Sequence, residues 1–100
     1  MQYEIRFAET VEEDLKKVKV FYTQKILDEI REQLTHEPDK KTTRRKILEG
    51  LIPPWNAVPP IWQLTVDDYR IFYDVESEKH IVWIRAVRHK PHGKKTEEIL

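Results

Sequence analysis

Apolar and polar residues alternate over residues 2–7 (QYEIRF), with Tyr3, Ile5 and Phe7 on one side and Gln2, Glu4 and Arg6 on the other. A period of two predicts a short, half-buried strand. The period then lengthens. Val11, Leu15 and Val18 recur at helical spacing, and Ile26, Leu27, Ile30 and Leu34 continue an apolar stripe while Asp28, Glu29, Arg31 and Glu32 face outward. Thr10 and Glu13 have the spacing of a capping box, in which each side chain satisfies a free backbone donor of the other, so a helix is predicted to start there. A break near residues 17–21 divides the stripe into two helices. Pro38 ends the second, because a ring without an N–H cannot continue the ladder.

Residues 44–51 (RRKILEGL) predict a helical turn stopped at Gly50. The next stretch, IPPWNAVPP, holds four of the six prolines and excludes both a helix and a central strand. Three strand patterns follow at 61–66 (IWQLTV), 69–75 (YRIFYDV) and 81–87 (IVWIRAV), separated by links short enough for a consecutive antiparallel meander. The resulting order, β-α-α-β-β-β, is an α+β fold with two N-terminal helices packed on one face of a small, mainly antiparallel sheet. The opposite face is expected to be open. The last segment, RHKPHGKKTEEIL, is expected to return a turn of helix over the sheet or to fray.

One hundred residues with 39% hydrophobic content supply one core, so a single domain over 1–100 is expected. The 36% charged content, the mean hydropathy of -0.71 and the lack of an apolar run near about 18 residues argue against a membrane partner. Glu4 interrupts the start of the chain, which excludes a secretory leader and places the expected site of action in the cytoplasm. Without cysteine there is no thiol chemistry. The net charge of zero conceals a block pattern: residues 1–37 and 61–84 are acidic on balance, residues 38–60 and 85–100 basic. Two basic segments that meet in space would make a polyanion-binding surface.

Within YRIFYDV, Tyr69, Ile71, Tyr73 and Val75 share one side, which sends Arg70, Phe72 and Asp74 to the open face. The planar guanidinium of Arg70 suits a phosphate, or alternatively a structural pair with Asp74 or Asp67. Phe72, exposed beside it, would serve as a stacking surface for a base. The basic tail supplies Arg85, Arg88, His89, Lys90, His92, Lys94 and Lys95, with Lys46 contributed by the earlier cluster. His89 or His92 can exchange protons near neutrality. The four histidines have no metal-ligand spacing, so no metal and no cofactor is expected. Two glycines give no phosphate loop, and Ser77 lies in a turn outside any nucleophile motif. Metal-free RNA cleavage fits the remaining inventory: a base for the 2′-hydroxyl, an acid for the leaving 5′-oxygen, and cations for the charge gathering on phosphate.

The string WQLTVDDYRIFYDV followed by IVWIRAVRHKP resembles the C-terminal half of the RelE/ParE toxin superfamily, in which an aromatic-Arg pair (here Tyr69-Arg70), a tyrosine three residues on (Tyr73) and a last strand running into a basic segment recur. The resemblance implies the toxin of a type II toxin–antitoxin pair, bound by a cognate antitoxin and, through that complex, to operator DNA. RelE-like members are ribosome-dependent endoribonucleases that cut mRNA. ParE-like members poison DNA gyrase, and a degenerate member would persist as an antitoxin-binding corepressor. By this resemblance Arg70 contacts the scissile phosphate, and Lys90, with Arg88 and His89 beside it, is the basic residue after the last strand. Ile61 and Gln63 stand where the RelE branch carries lysines, and Thr96 where it carries a tyrosine, which leaves His89 or His92 for proton transfer. Lys46, Phe72, Arg88, Lys94 and Lys95 complete the expected RNA-binding set.

Overall fold

The computed structural model describes residues 2–100. Strand β1 (Glu4–Phe7) leads into helices α1 (Val11–Lys16) and α2 (Val20–Leu34), and strand β2 (Arg45–Ile47) follows. After the proline-rich segment come β3 (Trp62–Val66), β4 (Tyr69–Glu76), a 3-10 turn (Ser77–Lys79), β5 (Ile81–His89) and the short helix α3 (Thr96–Ile99). The strands form one sheet in the order β1-β5-β4-β3-β2, antiparallel throughout except that β1 runs parallel to β5. The two-helix crossover is what permits that parallel pairing. No helix among the described residues is long and apolar enough to cross a membrane.

The apolar stripes pack as their periods require. Val11 and Val18 near α1, and Ile26, Ile30 and Leu34 from α2, meet Leu64, Val66, Ile71, Tyr73, Val82, Ile84 and Val87 from the sheet. Trp62 and Tyr73 are opposite in register and stack at 6.0 Å between ring centroids, a cross-strand pair that ties β3 to β4. The two-residue Asp67-Asp68 turn between them uses a positive φ of 51° at Asp67, which a short acidic side chain tolerates.

Three expectations need correction. Residues 44–51 form no helical turn: Arg45 and Ile47 face inward and Lys46 outward, the alternation of a strand, and β2 pairs with β3 at the sheet edge. Arg45 is buried because its Nη1 donates to the Glu37 carbonyl at 2.7 Å, so a charged residue takes the inward position that the pattern reserved for an apolar one. Gly50 follows at φ 72° as a turn residue. Thr10 does not cap α1 through its side chain and is itself helical, with φ -75° and ψ -12°. The face away from the helices is not fully open, because the proline-rich segment crosses it and lays Trp55 against Phe72 at 5.5 Å.

Phe72 is therefore fully buried and is no exposed stacking platform. The prolines explain this: a segment that cannot enter the ladder has to pass over the sheet, and Trp55 supplies the apolar cover. Beneath the sheet, the Tyr73 hydroxyl donates to the Pro38 carbonyl at 2.8 Å in the interior. Burial pushes the Tyr73 pKa well above its usual value, opposed in part by the Arg45 guanidinium. In the unfolded chain this phenol ionises near its ordinary 10.0, whereas the folded protein holds it neutral, so its contribution is intact below that pH and is lost as pH rises further. Chemical denaturation is expected to show stability falling above about pH 10, with a shallower fall in Tyr73→Phe. An identical alkaline slope in that variant would remove Tyr73 as the cause.

Candidate functional site

The far face of the sheet is set out in rows by its register. Thr65, Arg70 and Arg88 form one row across β3, β4 and β5, and Lys46, Gln63, Phe72 and Ala86 form the next. Opposite Arg70 stands another arginine, a like-charge pair that is unfavourable if both point the same way. Asp14 of α1 resolves it. Its Oδ2 accepts from Arg88 Nη1 at 2.6 Å and from the Val87 N–H at 3.0 Å, and the drawn-aside guanidinium lies over Trp55 at 5.5 Å. Arg88 is thus committed to holding α1 and the proline-rich segment against β5.

Further along the same face, Asp74 is completely buried and accepts two hydrogen bonds from Arg85, at 2.7 Å from Nε and 3.2 Å from Nη2. A β-bulge makes this possible. Phe72 opposes Ala86 and Tyr73 opposes Ile84, leaving Arg85 as the extra residue of β5, turned to the carboxylate. Asp74 is satisfied in this way, and Arg70 is left free of it. Arg70 Nη1 instead donates to the carbonyls of Asp67 and Tyr69, both at 2.9 Å. Since those are neutral acceptors on one nitrogen, the guanidinium keeps its full charge and the remaining donors of its fork.

These arrangements leave a groove of about 240 Å³ bordered by Arg44, Lys46, Gln63, Arg70, Lys90 and Thr96. The two basic segments of the sequence do meet here, one through β2 and the other through the chain leaving β5. Lys90 is fixed by its backbone N–H, which donates to the Asp68 carbonyl at 2.6 Å. Arg44 is paired with Glu29 of α2 at 3.0 Å. Among the described residues Lys46, Arg70 and Lys90, together with the buried Arg45 that also lines the cavity, have no carboxylate partner, so four cations without a counter-charge border one small cavity. A second cavity, of about 410 Å³, shares Lys46 and Thr96 and adds Lys95. Short helix α3 sits beside it, and Thr96 Oγ1 donates to Gln63 Oε1 at 3.3 Å.

The structure thus brings Lys46, Arg70 and Lys90 together, with Lys95 in the adjoining cavity, but not every candidate. His89 opposes Tyr69 in register and therefore points to the helix side, where it packs on the Tyr69 ring at 5.3 Å in a separate crevice with Lys17 and Lys19. His92 is exposed in the turn after β5, and Lys94 pairs with Glu98 at 3.7 Å. Gln63 and Thr65 had no place among the expected site residues. Their position on β3, two apart and facing away from the helices, is the signal that could have found them.

The family model for the ParE toxin of type II toxin–antitoxin systems matches residues 5–91 of the chain. The chain belongs to this family, within the RelE/ParE toxin superfamily. The fold is similar to that of the RelBE2 toxin–antitoxin complex of Mycobacterium tuberculosis, with a TM-score of 0.70 and 22% identity over 90% of this chain and 100% of that one. It is also similar to the archaeal RelE–RelB complex of Pyrococcus horikoshii, with a TM-score of 0.69 and 21% identity over 95% of this chain and 100% of that one. A mutant of the E. coli toxin RelE in the free state gives a TM-score of 0.69 and 19% identity over 98% of this chain and 93% of that one. No curated protein sequence matches. The protein is a type II toxin of RelE-like fold.

Proposed function

We propose that this toxin is a metal-free endoribonuclease that inhibits translation by cutting mRNA on the ribosome in the cytoplasm, and that a cognate antitoxin neutralises it and carries the pair to operator DNA. The convergence of Lys46, Arg70 and Lys90 on one groove, with no carboxylate set against them, is the observation that carries this reading. A phosphodiester entering the groove meets the Arg70 fork. The 2′-hydroxyl oxygen attacks phosphorus, the bond from phosphorus to the 5′-oxygen breaks, and a 2′,3′-cyclic phosphate and a 5′-hydroxyl result. One of the two lysine side chains, acting as the neutral amine, takes the proton from the 2′-hydroxyl and the other, as the ammonium, gives one to the leaving oxygen, while Arg70 stabilises the charge developing on phosphate. The placement of His89 on the helix side favours lysine over imidazole for this work. The antitoxin reading is supported by the family and by RelB in the similar complexes.

A gyrase poison is the second reading, favoured by the family model and by a groove whose lining contains neither an imidazole nor a carboxylate. Such a toxin needs surface shape and no proton transfer. Purified toxin, free of antitoxin, is expected to cut mRNA on programmed ribosomes at sites mapped by primer extension and to leave gyrase supercoiling unaffected. Intact mRNA together with blocked supercoiling would reverse the assignment.

A further inference from the structure

Lys25 belongs to α2, on the helix side of the sheet, and does not line the cationic groove. Its Nζ nonetheless pairs at 2.6 Å with Oδ2 of Asp67, in the turn between β3 and β4. That turn anchors two of the groove's cations. The Asp67 carbonyl accepts from Arg70 Nη1 at 2.9 Å, and the Asp68 carbonyl accepts from the Lys90 N–H at 2.6 Å. Asp67 holds its positive φ of 51° at some cost, so a tether on its side chain matters to where these two carbonyls point. One turn further along α2, Glu29 pairs with Arg44 at 3.0 Å, and Arg44 Nε donates to the Thr65 carbonyl at 3.3 Å. Two charges on one face of α2 thus brace the end of β3 and the turn that follows it. The hydrogen bond to Asp67 raises the Lys25 pKa, so the ammonium is fully charged at neutral pH. Both side chains of the Lys25–Asp67 pair are nearly half exposed, and an ion pair of that kind adds little to stability. Its consequence is geometric.

We propose that Lys25 is a positioning residue for the cleavage site: through its ion pair with Asp67 it fixes the turn whose carbonyls hold the Arg70 guanidinium and the Lys90 backbone in place. This rests on the ribonuclease reading of the groove. A donor already aimed at the phosphate needs no reordering as charge develops there, whereas a donor on a loosened turn has to be reordered during the reaction. Loss of the tether therefore lowers the rate of the bound complex more than it weakens binding. A role through charge alone has a different signature. Removing a lysine weakens the long-range attraction for RNA and removing an aspartate strengthens it, while a positional role makes both removals harmful.

The test measures single-turnover cleavage on programmed ribosomes over a range of toxin concentrations for wild type, Lys25→Met, Lys25→Arg, Asp67→Asn and the double variant Lys25→Met with Asp67→Asn. Asparagine tolerates the left-handed backbone, so Asp67→Asn removes the charge and keeps the turn. Lys25→Met is expected to lower the saturating rate about tenfold, within the roughly 100-fold that a misplacement of 1 Å can cost, with the half-saturating concentration little changed. Asp67→Asn should act in the same direction, the double variant should lose no more than the worse single variant, and Lys25→Arg should recover most of the rate. All four should melt within a few degrees of wild type, since the pair is exposed. Opposite shifts in the two single variants, additive losses in the double, wild-type rates in both singles, or a fall in rate that tracks the unfolded fraction each overturns the inference and leaves the nuclease standing. No cutting by the wild type overturns both.

Discussion

Replacing Asp74 by alanine is expected to lower the stability of the toxin by about 3–5 kcal/mol. Its carboxylate is wholly buried and its partner Arg85 has a side chain only 16% exposed. Taking the carboxylate away leaves a guanidinium in a largely dry site with two donors unmatched, which costs more than the pair contributes when intact. The loss is a large share of the roughly 5–15 kcal/mol that holds a domain of this size together, and it corresponds to a fall in midpoint temperature on the order of 15–30 °C. The double variant Asp74→Ala with Arg85→Met removes both charges and keeps an apolar stem against Trp83, over which Arg85 now lies at 5.1 Å. Thermal melts of wild type, both single variants and the double variant should show the double variant recovering most of the loss. A double variant as unstable as Asp74→Ala would mean that packing at the bulge, and not the stranded charge, sets the cost.

The same bulge shows where sequence patterning reaches its limit. Val82 and Ile84 lie two apart on the helix side, and the next inward residue of β5 is Val87, three further on. A strict period of two turns Ala86 and Arg88 toward the helices and Val87 away from them. Only the inserted residue restores Arg88 to the far face. The strands at 61–66 and 69–75, the two helices and the basic meeting place around Arg70 are legible because each rests on a local period or on charge blocks. Strand β2 escaped because its inward residue is Arg45, whose burial depends on the Glu37 carbonyl, a partner supplied by the turn after α2. Phe72 escaped for a related reason: what covers it is Trp55, seventeen positions earlier, and no periodicity relates a strand to the segment that crosses it. His89 was sent to the wrong face by proximity to Lys90 in sequence, although neighbours along a strand point to opposite sides.

Arg70→Ala is expected to reduce ribosome-dependent cleavage by about 100- to 1000-fold, the loss typical of deleting one preorganised donor to a developing oxyanion. The reasons are geometric. Arg70 holds its position through the Asp67 and Tyr69 carbonyls, so its remaining N–H groups face the groove without reorganisation when the phosphate gains charge. Because the Asp67 carbonyl lies at an exposed turn where water can replace the lost donor, and the Tyr69 carbonyl is only partly buried, the variant should melt within a few degrees of wild type, separating lost chemistry from lost fold. Arg70→Lys keeps a positive charge but not the fork and should recover only part of the rate. Lys46→Ala and Lys90→Ala should each also lower the salt dependence of single-stranded RNA binding, by about 0.7 in the slope of log affinity against log salt for each phosphate contact removed. Arg88→Ala should not change that slope, since Asp14 already holds its charge at 2.6 Å. Cleavage by Arg70→Ala at the wild-type rate would remove the groove from the chemistry. A slope that falls for Arg88→Ala but not for Lys46→Ala or Lys90→Ala would move the RNA to the β5 side of the sheet.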